Sequence, residues 1–189
     1  MAGQSAVEQS RALLNAGKFE EAQKLLASFI NEHPQDAEAR ALLGWSLLYL
    51  SKKAEAVSQL EEASRLAPRS PFIAKLLAKA CIAVDQNLRA EPILTQLTAT
   101  TPADPEAWSL LGRLYQDGSR FARALPALEK ALQLNPLDVQ AQTALAFTYL
   151  GLGRHDDALA AYRKAVALNR QRPQPLASVY ASFAIFCCG

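Results

Sequence analysis

The sequence has few of the residues on which catalytic and metal sites depend. Its 189 residues include two histidines, His33 and His155, and three cysteines, and no spacing among them matches a zinc site. It contains no Gly-rich phosphate loop and no nucleophile motif. Adjacent carboxylates such as Glu20 and Glu21 point in different directions on a helix, so they do not form an acid–base pair. We therefore predict no enzymatic activity, no cofactor and no metal site.

The sequence also has no hydrophobic run long enough to span a membrane and no excess of one charge. The first ten residues have neither the basic start nor the apolar run of a secretory signal. The net charge of +2 is too balanced to predict binding to nucleic acid or to an anionic membrane surface. We expect a cytoplasmic protein, and a periplasmic one if the chain is a mature fragment, because its first residues could be the start of an expressed fragment.

The three cysteines do not form a disulfide framework. Cys81 lies among apolar residues, and we interpret it as a small buried hydrophobic side chain. Cys187 and Cys188 are adjacent, and neighbouring cysteines rarely pair with each other. The ending Cys-Cys-Gly is not a prenylation signal, so the role of these two residues stays open.

The chain does have a strong internal period of 34 residues. Prolines recur at this spacing, at Pro34, Pro68, Pro102 and Pro136. Alanines recur at it too, at Ala22, Ala56, Ala90, Ala124 and Ala158. Several columns in one register are very unlikely by chance, so the sequence predicts stacked repeats, each too small to bury its own apolar face.

The clearest repeat runs from Trp108 to Pro136. Trp108, Leu111 and Tyr115 recur at three and four residues and predict one apolar stripe on a helix. Gly112 leaves room beside that stripe for a second helix, from which small alanines would face it. The pattern Trp-x2-Leu-Gly-x2-Tyr, followed by Ala and Pro, resembles the tetratricopeptide repeat.

The resemblance implies an all-α fold, a right-handed superhelical solenoid of antiparallel helix pairs. We expect five repeats, at 3–36, 37–70, 71–104, 105–138 and 139–172. Residues 173–189 would form a single terminal helix, either a cap or a partial sixth repeat. Its apolar face would contain Leu176, Val179, Tyr180, Phe183 and Phe186. Because this helix is not polar outside, as a cap would be, we favour a fragment of a longer protein. Dimerisation through the exposed patch is the other possibility.

Several single residues carry local expectations. Ser10 replaces the small apolar residue of later repeats and suits a polar end repeat. Gly118 is expected to take the positive φ of the turn. Pro92 and Pro126 should lie near the starts of their helices, where a missing N–H is tolerated. Trp108 is expected to be buried, so that Trp108→Ala would cost roughly 3–5 kcal/mol.

Repeat three departs furthest from the pattern. Ala78 replaces its glycine, Asp85 and Asn87 make its turn, and Leu97 replaces its second small alanine. We therefore expect this repeat to be the weakest joint of the array.

The resemblance also implies where a ligand would bind. In this family the first helices line a concave surface, through five positions of each repeat. Carried over to this chain, the candidate lining is Arg11, Trp45, Tyr49, Phe72, Lys75, Lys79, Glu106, Ser109, Arg113, Gln116, Thr143 and Phe147. The aromatic side chains would anchor a peptide, and Lys75, Lys79 and Arg113 would meet an acidic side chain or a C-terminal carboxylate. Simple solvation of these cations is the plainer interpretation.

The family's chaperone-binding clamp for a C-terminal carboxylate is not present. That clamp needs lysines, asparagines and an arginine at fixed positions, where this chain has residues such as Leu110 and Ala144. The sequence therefore predicts a non-catalytic module that binds a peptide or a partner helix. The alternatives are a structural or self-assembling scaffold, and an N-terminal repeat segment of a larger protein that carries a catalytic domain.

Overall fold

The computed structural model describes the backbone of residues 2–172 and 174–188, and the side chains of residues 6–172 and 174–184. The predictions for Pro173, and for the side chains of Phe186, Cys187 and Cys188, lie outside the described residues. The chain is 80% helical, and its described part contains eleven helices and no strand, which confirms the all-α prediction. The helices are α1 (Ala2–Asn15), α2 (Phe19–Glu32), α3 (Ala37–Tyr49), α4 (Lys53–Leu66), α5 (Pro71–Ala83), α6 (Asn87–Thr100), α7 (Pro105–Asp117), α8 (Phe121–Leu134), α9 (Val139–Gly151), α10 (His155–Arg170) and α11 (Ala177–Cys188).

The chain divides into two compact units, unit 1 (residues 1–97) and unit 2 (residues 98–189). Within unit 1, consecutive helices from α1 to α5 pack against each other, and α3 also contacts α1 and α5. Within unit 2, the helices α7 to α11 pack in the same way, and α9 also contacts α7 and α11. The division falls inside α6, in the repeat that we expect to be weakest. That weakness and the individual repeat boundaries stay predictions.

Each of the helices α3, α5, α7 and α9 begins at a side-chain cap. The capping residues stand 34 residues apart, at Asp36, Ser70, Asp104 and Asp138. The carboxylate of Asp138, for example, accepts hydrogen bonds from the amides of Gln140 and Ala141, at 2.9 and 3.0 Å. These bonds satisfy amides that have no partner inside the helix, so they fix where each helix starts.

Small residues hold the two helices of each repeat close together. They form one column, Ser10, Gly44, Ala78, Gly112 and Ala146. A Cβ atom added to Gly44 would lie 2.5 Å from Cγ of Leu60, and one added to Gly112 would lie 2.6 Å from Cγ of Leu128. The prediction for Gly112 is therefore confirmed: it leaves room for the second helix.

Ser10 belongs to this buried column and not to a polar outer face. It is fully buried, and its hydroxyl donates to the carbonyl of Ala6 at 2.8 Å. The expectation for Ser10 is wrong because its small size, and not its polarity, determines its place. The local hydrogen bond satisfies the hydroxyl without a partner from another helix.

The turn between the helices of each repeat uses a left-handed residue, also at a spacing of 34. These residues are Gly17 (φ 73°), Ser51 (60°), Asp85 (59°), Ser119 (54°) and Gly153 (71°). The amide of the residue after each turn residue donates a hydrogen bond to the carbonyl five residues earlier, as in the Schellman motif. The Arg120 amide, for example, donates to the Tyr115 carbonyl at 2.8 Å. The prediction for Gly118 is therefore wrong, because Gly118 is the preceding cap residue, with a φ of −87°.

The two internal prolines are accommodated without a break. Pro92 and Pro126 are each the sixth residue of their helices, α6 and α8, so they lie beyond the first turn in which we expected them. Each removes the N–H that would bond the carbonyl four residues earlier, which belongs to Leu88 or Ala122. Both of these residues are exposed, so water can satisfy the released carbonyl groups.

Trp108 is half-buried, so the expectation of full burial is wrong. It packs at the edge of the unit 2 cluster that contains Leu128 and Leu145. Its indole N–H points outward and donates to the carbonyl of Pro102 at 3.0 Å. The cost of 3–5 kcal/mol expected for removing a fully buried tryptophan therefore does not apply. Cys81, in contrast, is fully buried as predicted, and burial raises the pKa of its thiol.

α11 packs onto unit 2 after a longer connection than the other helices have. α10 has 16 residues where α8 has 14, and it continues through Arg170, which stands in the proline column. Of the predicted apolar face, Val179 is buried and Leu176 packs beside it. Phe183 packs against Tyr162, with the ring centroids 6.1 Å apart. Tyr180 stays 38% exposed. Dimerisation through this helix stays a prediction.

Asn169 of α10 forms hydrogen bonds to Leu176, in the segment that connects α10 to α11. We expect its replacement to weaken the packing of α11. The side chain of Asn169 is fully buried, donates to the Leu176 carbonyl at 2.9 Å and accepts from the Leu176 amide at 2.8 Å. Asn169→Ala removes both bonds and leaves buried polar groups without partners, so it should destabilise unit 2 by about 2 kcal/mol. Hydrogen exchange of the amides of residues 177–184 should accelerate.

Asn135 is the matched control, because it occupies the same column one repeat earlier. It is exposed, and its side chain accepts a single bond from the Leu137 amide at 3.3 Å. Asn135→Ala should change stability by no more than about 0.5 kcal/mol. Unchanged exchange in α11 of the Asn169→Ala variant would show that Asn169 does not hold this helix.

Candidate functional site

Unit 2 contains a cavity formed by α7, α9, α10 and α11. Its volume is about 380 Å³. Four of the predicted site residues line it together: Arg113 and Gln116 of α7, and Thr143 and Phe147 of α9. The remaining lining residues are Gln140, Ala144, Leu150, Tyr162, Ser178, Val179 and Ser182. We call this space the unit 2 cavity.

Two polar side chains of the cavity, Gln116 of α7 and Thr143 of α9, are fixed by hydrogen bonds within the protein. The Gln116 side-chain amide donates to the Ala144 carbonyl at 2.6 Å and to the Thr148 hydroxyl at 3.1 Å. The Thr143 hydroxyl donates to the Val139 carbonyl at 2.8 Å. Gln116 keeps its carbonyl oxygen and Thr143 its oxygen lone pairs for a ligand, at positions already set before binding.

An aromatic ring and aliphatic side chains form the apolar part of the unit 2 cavity. Phe147 is 48% exposed and packs edge-on against Phe121, with the ring centroids 6.0 Å apart. Tyr162, another lining residue, is 2% exposed, and burial raises the pKa of its phenol. Val179 of α11 is buried at the wall. Phe147 is therefore a rigidly supported ring that has open surface for an apolar group.

Arg113 is the single charged residue among those that line the unit 2 cavity. It is exposed, and no carboxylate pairs with it within the part of the chain that the structure describes. The cavity therefore combines an apolar surface, neutral hydrogen-bonding groups and one positive charge.

The predicted site residues of unit 1 mostly contact other side chains of that unit. Arg11 forms an ion pair with Glu38. Trp45 packs partly into the unit 1 core and meets Phe72 edge-on, with the centroids 6.5 Å apart. Tyr49 stacks on Phe19, with the centroids 4.3 Å apart and the planes 7° apart, and is still 63% exposed. Arg11, Trp45 and Tyr49 therefore each have a partner within unit 1, although Tyr49 keeps most of its surface exposed.

The residues of the predicted basic cluster belong to both units, and Ser109 does not face solvent. Lys75 and Lys79 are half-buried residues of α5 in unit 1, whereas Arg113 belongs to unit 2. Ser109 is only 7% exposed, because it lies on the packed side of α7, so its place in the predicted lining is corrected. Glu106 is exposed on the first turn of α7.

Unit 1 contains a larger cavity of opposite charge. Its volume is about 810 Å³, and of the predicted site residues only Arg11 lines it. Four carboxylates line it, those of Glu8, Glu32, Asp36 and Glu38. Arg11 is already paired with Glu38. This lining does not suit the acidic partner that the sequence suggested.

Several residues of the unit 2 cavity were missed in the sequence. Gln140 and Leu150 stand at groove positions of the repeat and could have been included on that signal alone. The residues of α11, Ser178, Val179 and Ser182, could not, because the longer connection shifts their place in the period. Tyr162 could not either, because its column otherwise contains core leucines.

Metal-binding clusters and membrane-spanning helices are both absent from the described residues. No group of three or more His, Cys, Asp and Glu side chains there is placed to hold a metal ion. None of the helices there is both long and apolar enough to cross a bilayer.

Known structures share this architecture. MamA (41-end) from Desulfovibrio magneticus RS-1 is 24% identical, with a TM-score of 0.78 over 91% of this chain and 97% of that one. The thermophilic TPR protein TTC0263 of Thermus thermophilus is 23% identical, with a TM-score of 0.79 over 99% and 100%. YrrB, described as a TPR protein with an unusual peptide-binding site, is 18% identical, with a TM-score of 0.70 over 88% and 86%. The chain has no match among the curated proteins.

Sequence profiles give the family. One tetratricopeptide repeat profile matches residues 7–71 and 109–174, and a second matches residues 51–114. Together they span the helix pairs of both units, and the first profile alone covers more than half of the chain. With the recurring caps, small residues and turns, these matches show that the chain belongs to the tetratricopeptide repeat family.

Proposed function

We propose that this protein is a non-catalytic interaction module that binds a peptide segment or helix of another protein in the unit 2 cavity. The observation that carries the proposal is the convergence of Arg113, Gln116, Thr143 and Phe147 on one space of about 380 Å³. The volume lies within the range of ordinary ligand sites. The stacked repeats of this family commonly bind partners on such surfaces, and YrrB is described as having a peptide-binding site.

Phe147 is the expected anchor of the ligand. The Phe147 ring has an exposed face and packs against Phe121. A ligand side chain can therefore bury apolar area there while Phe147 loses little conformational entropy. Gln116 and Thr143 are already held in place by hydrogen bonds within the protein, which suits recognition of a peptide backbone.

Phe147→Ala should weaken peptide binding at least about tenfold, because the loss of an aromatic anchor costs more than about 1.4 kcal/mol. Binders would be selected from a display library of short random peptides, and their dissociation constants measured by fluorescence anisotropy. The matched control is Tyr49→Ala, which removes an exposed aromatic side chain from unit 1.

Circular dichroism should show that both variants are folded. Binding that is insensitive to Phe147→Ala, or that is weakened equally by Tyr49→Ala, would place the interaction elsewhere and refute the proposal.

A further inference from the structure

Contacts between the first helices of neighbouring repeats follow a fixed spacing of 27 residues in unit 1. Arg11 of α1 pairs with Glu38 of α3, and Trp45 of α3 meets Phe72 of α5. In both pairs the second residue follows the first by 27 positions: 38 − 11 and 72 − 45. One pair is ionic and the other aromatic, so the spacing, and not the chemistry, is the shared feature.

In unit 2 the same spacing starts at Arg113 and leads to Gln140. Both residues line the unit 2 cavity. Gln140 stands where Glu38 stands beside Arg11, but its amide carries no charge and cannot neutralise a guanidinium group. The backbone amide of Gln140 donates a hydrogen bond to the Asp138 carboxylate, which caps the helix. Arg113 forms no ion pair with any of the described residues. Arg113 therefore lies at the cavity without the intramolecular carboxylate that Arg11 has in unit 1.

We infer that the unit 2 cavity binds a glutamate side chain of the partner segment, which pairs with Arg113 as Glu38 pairs with Arg11. The inference rests on the proposed function and adds the chemistry of the ligand. A charge-assisted bond to arginine is among the stronger polar contacts in proteins. An apolar residue next to that glutamate would contact Phe147 across the same cavity.

A side-chain carboxylate is favoured over a chain terminus by the pairing seen in unit 1. There the acid is the side chain of Glu38, one residue after the start of α3 (Ala37–Tyr49), and not a chain end. A partner segment that supplies the same group to Arg113 would likewise present a side-chain carboxylate.

The probe is an array of short acetylated and amidated peptides that combine leucine and glutamate, each with a counterpart in which glutamine replaces glutamate. For the wild type, the glutamate peptides should bind at least about tenfold tighter than their glutamine counterparts. Arg113→Gln should remove this preference.

Gln140→Glu is the decisive variant, because it supplies the missing carboxylate from within the protein. It should weaken binding of the glutamate peptides at least about tenfold, both by pairing with Arg113 and by repelling the ligand. Gln133→Glu makes the same chemical change on the exposed face of α8, outside the cavity lining, and should leave binding unchanged. Glu38→Gln in unit 1 should leave it unchanged as well.

Three results would overturn the inference. The first is equal binding of glutamate and glutamine peptides, and the second is no effect of Gln140→Glu. The third is equally tight binding of a glutamine peptide with a free C-terminus, which would assign the carboxylate to a chain end. In each case, binding that is still sensitive to Phe147→Ala would preserve the proposed function, so the two failures can be distinguished.

Discussion

Replacing Gly112 with leucine is expected to destabilise unit 2 by at least about 3 kcal/mol. The Cβ atom alone would lie 2.6 Å from Cγ and 2.8 Å from Cδ2 of the buried Leu128, and 3.3 Å from its backbone nitrogen. The longer side chain cannot fit unless α7 and α8 separate, and overpacking of a filled core costs about 1–3 kcal/mol even for smaller changes. The midpoint of urea unfolding, followed by circular dichroism, should fall accordingly.

A second substitution tests whether the contact with Leu128 is the cause. Leu128→Ala opens space opposite residue 112, so the double variant should be at least about 1 kcal/mol more stable than the sum of the two single effects predicts. Gly118→Ala is the control, because a Cβ atom there would come no closer than 3.2 Å to the Arg120 side chain and would lie 3.7 Å from the Tyr115 carbonyl oxygen. A loss below about 1 kcal/mol for Gly112→Leu would contradict the close packing described for these helices.

The second large effect is expected at Tyr162. This side chain is 2% exposed and fills the space between Ala146 of α9 and Phe183 of α11. Tyr162→Ala should destabilise unit 2 by about 4 kcal/mol, because it removes a buried ring and leaves a cavity that the surrounding helices cannot close fully. The loss should also loosen α11, so the amides of residues 177–184 should exchange faster with solvent.

Tyr162→Leu distinguishes two contributions of this side chain to stability. One is the filling of its position in the repeat, and the other is the contact with Phe183 of α11. The other four repeats have a buried leucine in this column, at Leu26, Leu60, Leu94 and Leu128. Leucine should therefore restore most of the stability and cost only about 1–2 kcal/mol relative to tyrosine. If leucine costs as much as alanine, the filling of this column does not explain the stability of unit 2.

The period of the sequence was sufficient to predict most of the fold. Once Pro34, Pro68, Pro102 and Pro136 are aligned, the small column and the buried second-helix residues follow, because every repeat has to solve the same packing problem. Helix starts at Ala37, Pro71, Pro105 and Val139 recur at the same interval. The caps that fix these starts were visible as a polar column at Asp36, Ser70, Asp104 and Asp138, although the pattern of apolar residues alone does not reveal them.

Two of the errors concern the clearest repeat, which runs from Trp108 to Pro136. Gly118 looked like the turn residue because glycine is common there, but the aligned column shows that the left-handed position is one residue later, at Ser119. Trp108 looked like a core residue because it is large and apolar. Its N–H needs a partner, and the Pro102 carbonyl lies at the surface, so the ring stays half-buried.

The site was less predictable because the period places residues on a face without saying what they touch. Arg11, Trp45 and Tyr49 are on the predicted face, yet each is engaged by a neighbour in unit 1: Glu38, Phe72 and Phe19, respectively. Arg113 and Phe147 occupy in later repeats the position of Arg11 and Trp45, and they line a cavity. The difference depends on single partner residues such as Gln140, which the repeat pattern does not constrain.

The turn column also bears on how far the thermal tolerance of this protein could be raised. A left-handed backbone at a residue with a Cβ atom costs roughly 1–2 kcal/mol, and the three middle turns carry it at Ser51, Asp85 and Ser119. Gly17 and Gly153, in the first and last turns, avoid that strain. The folding stability of the chain is therefore below the maximum that this fold allows. Glycine substitutions at these three turns, which do not line the unit 2 cavity, could offset destabilising changes elsewhere in the chain.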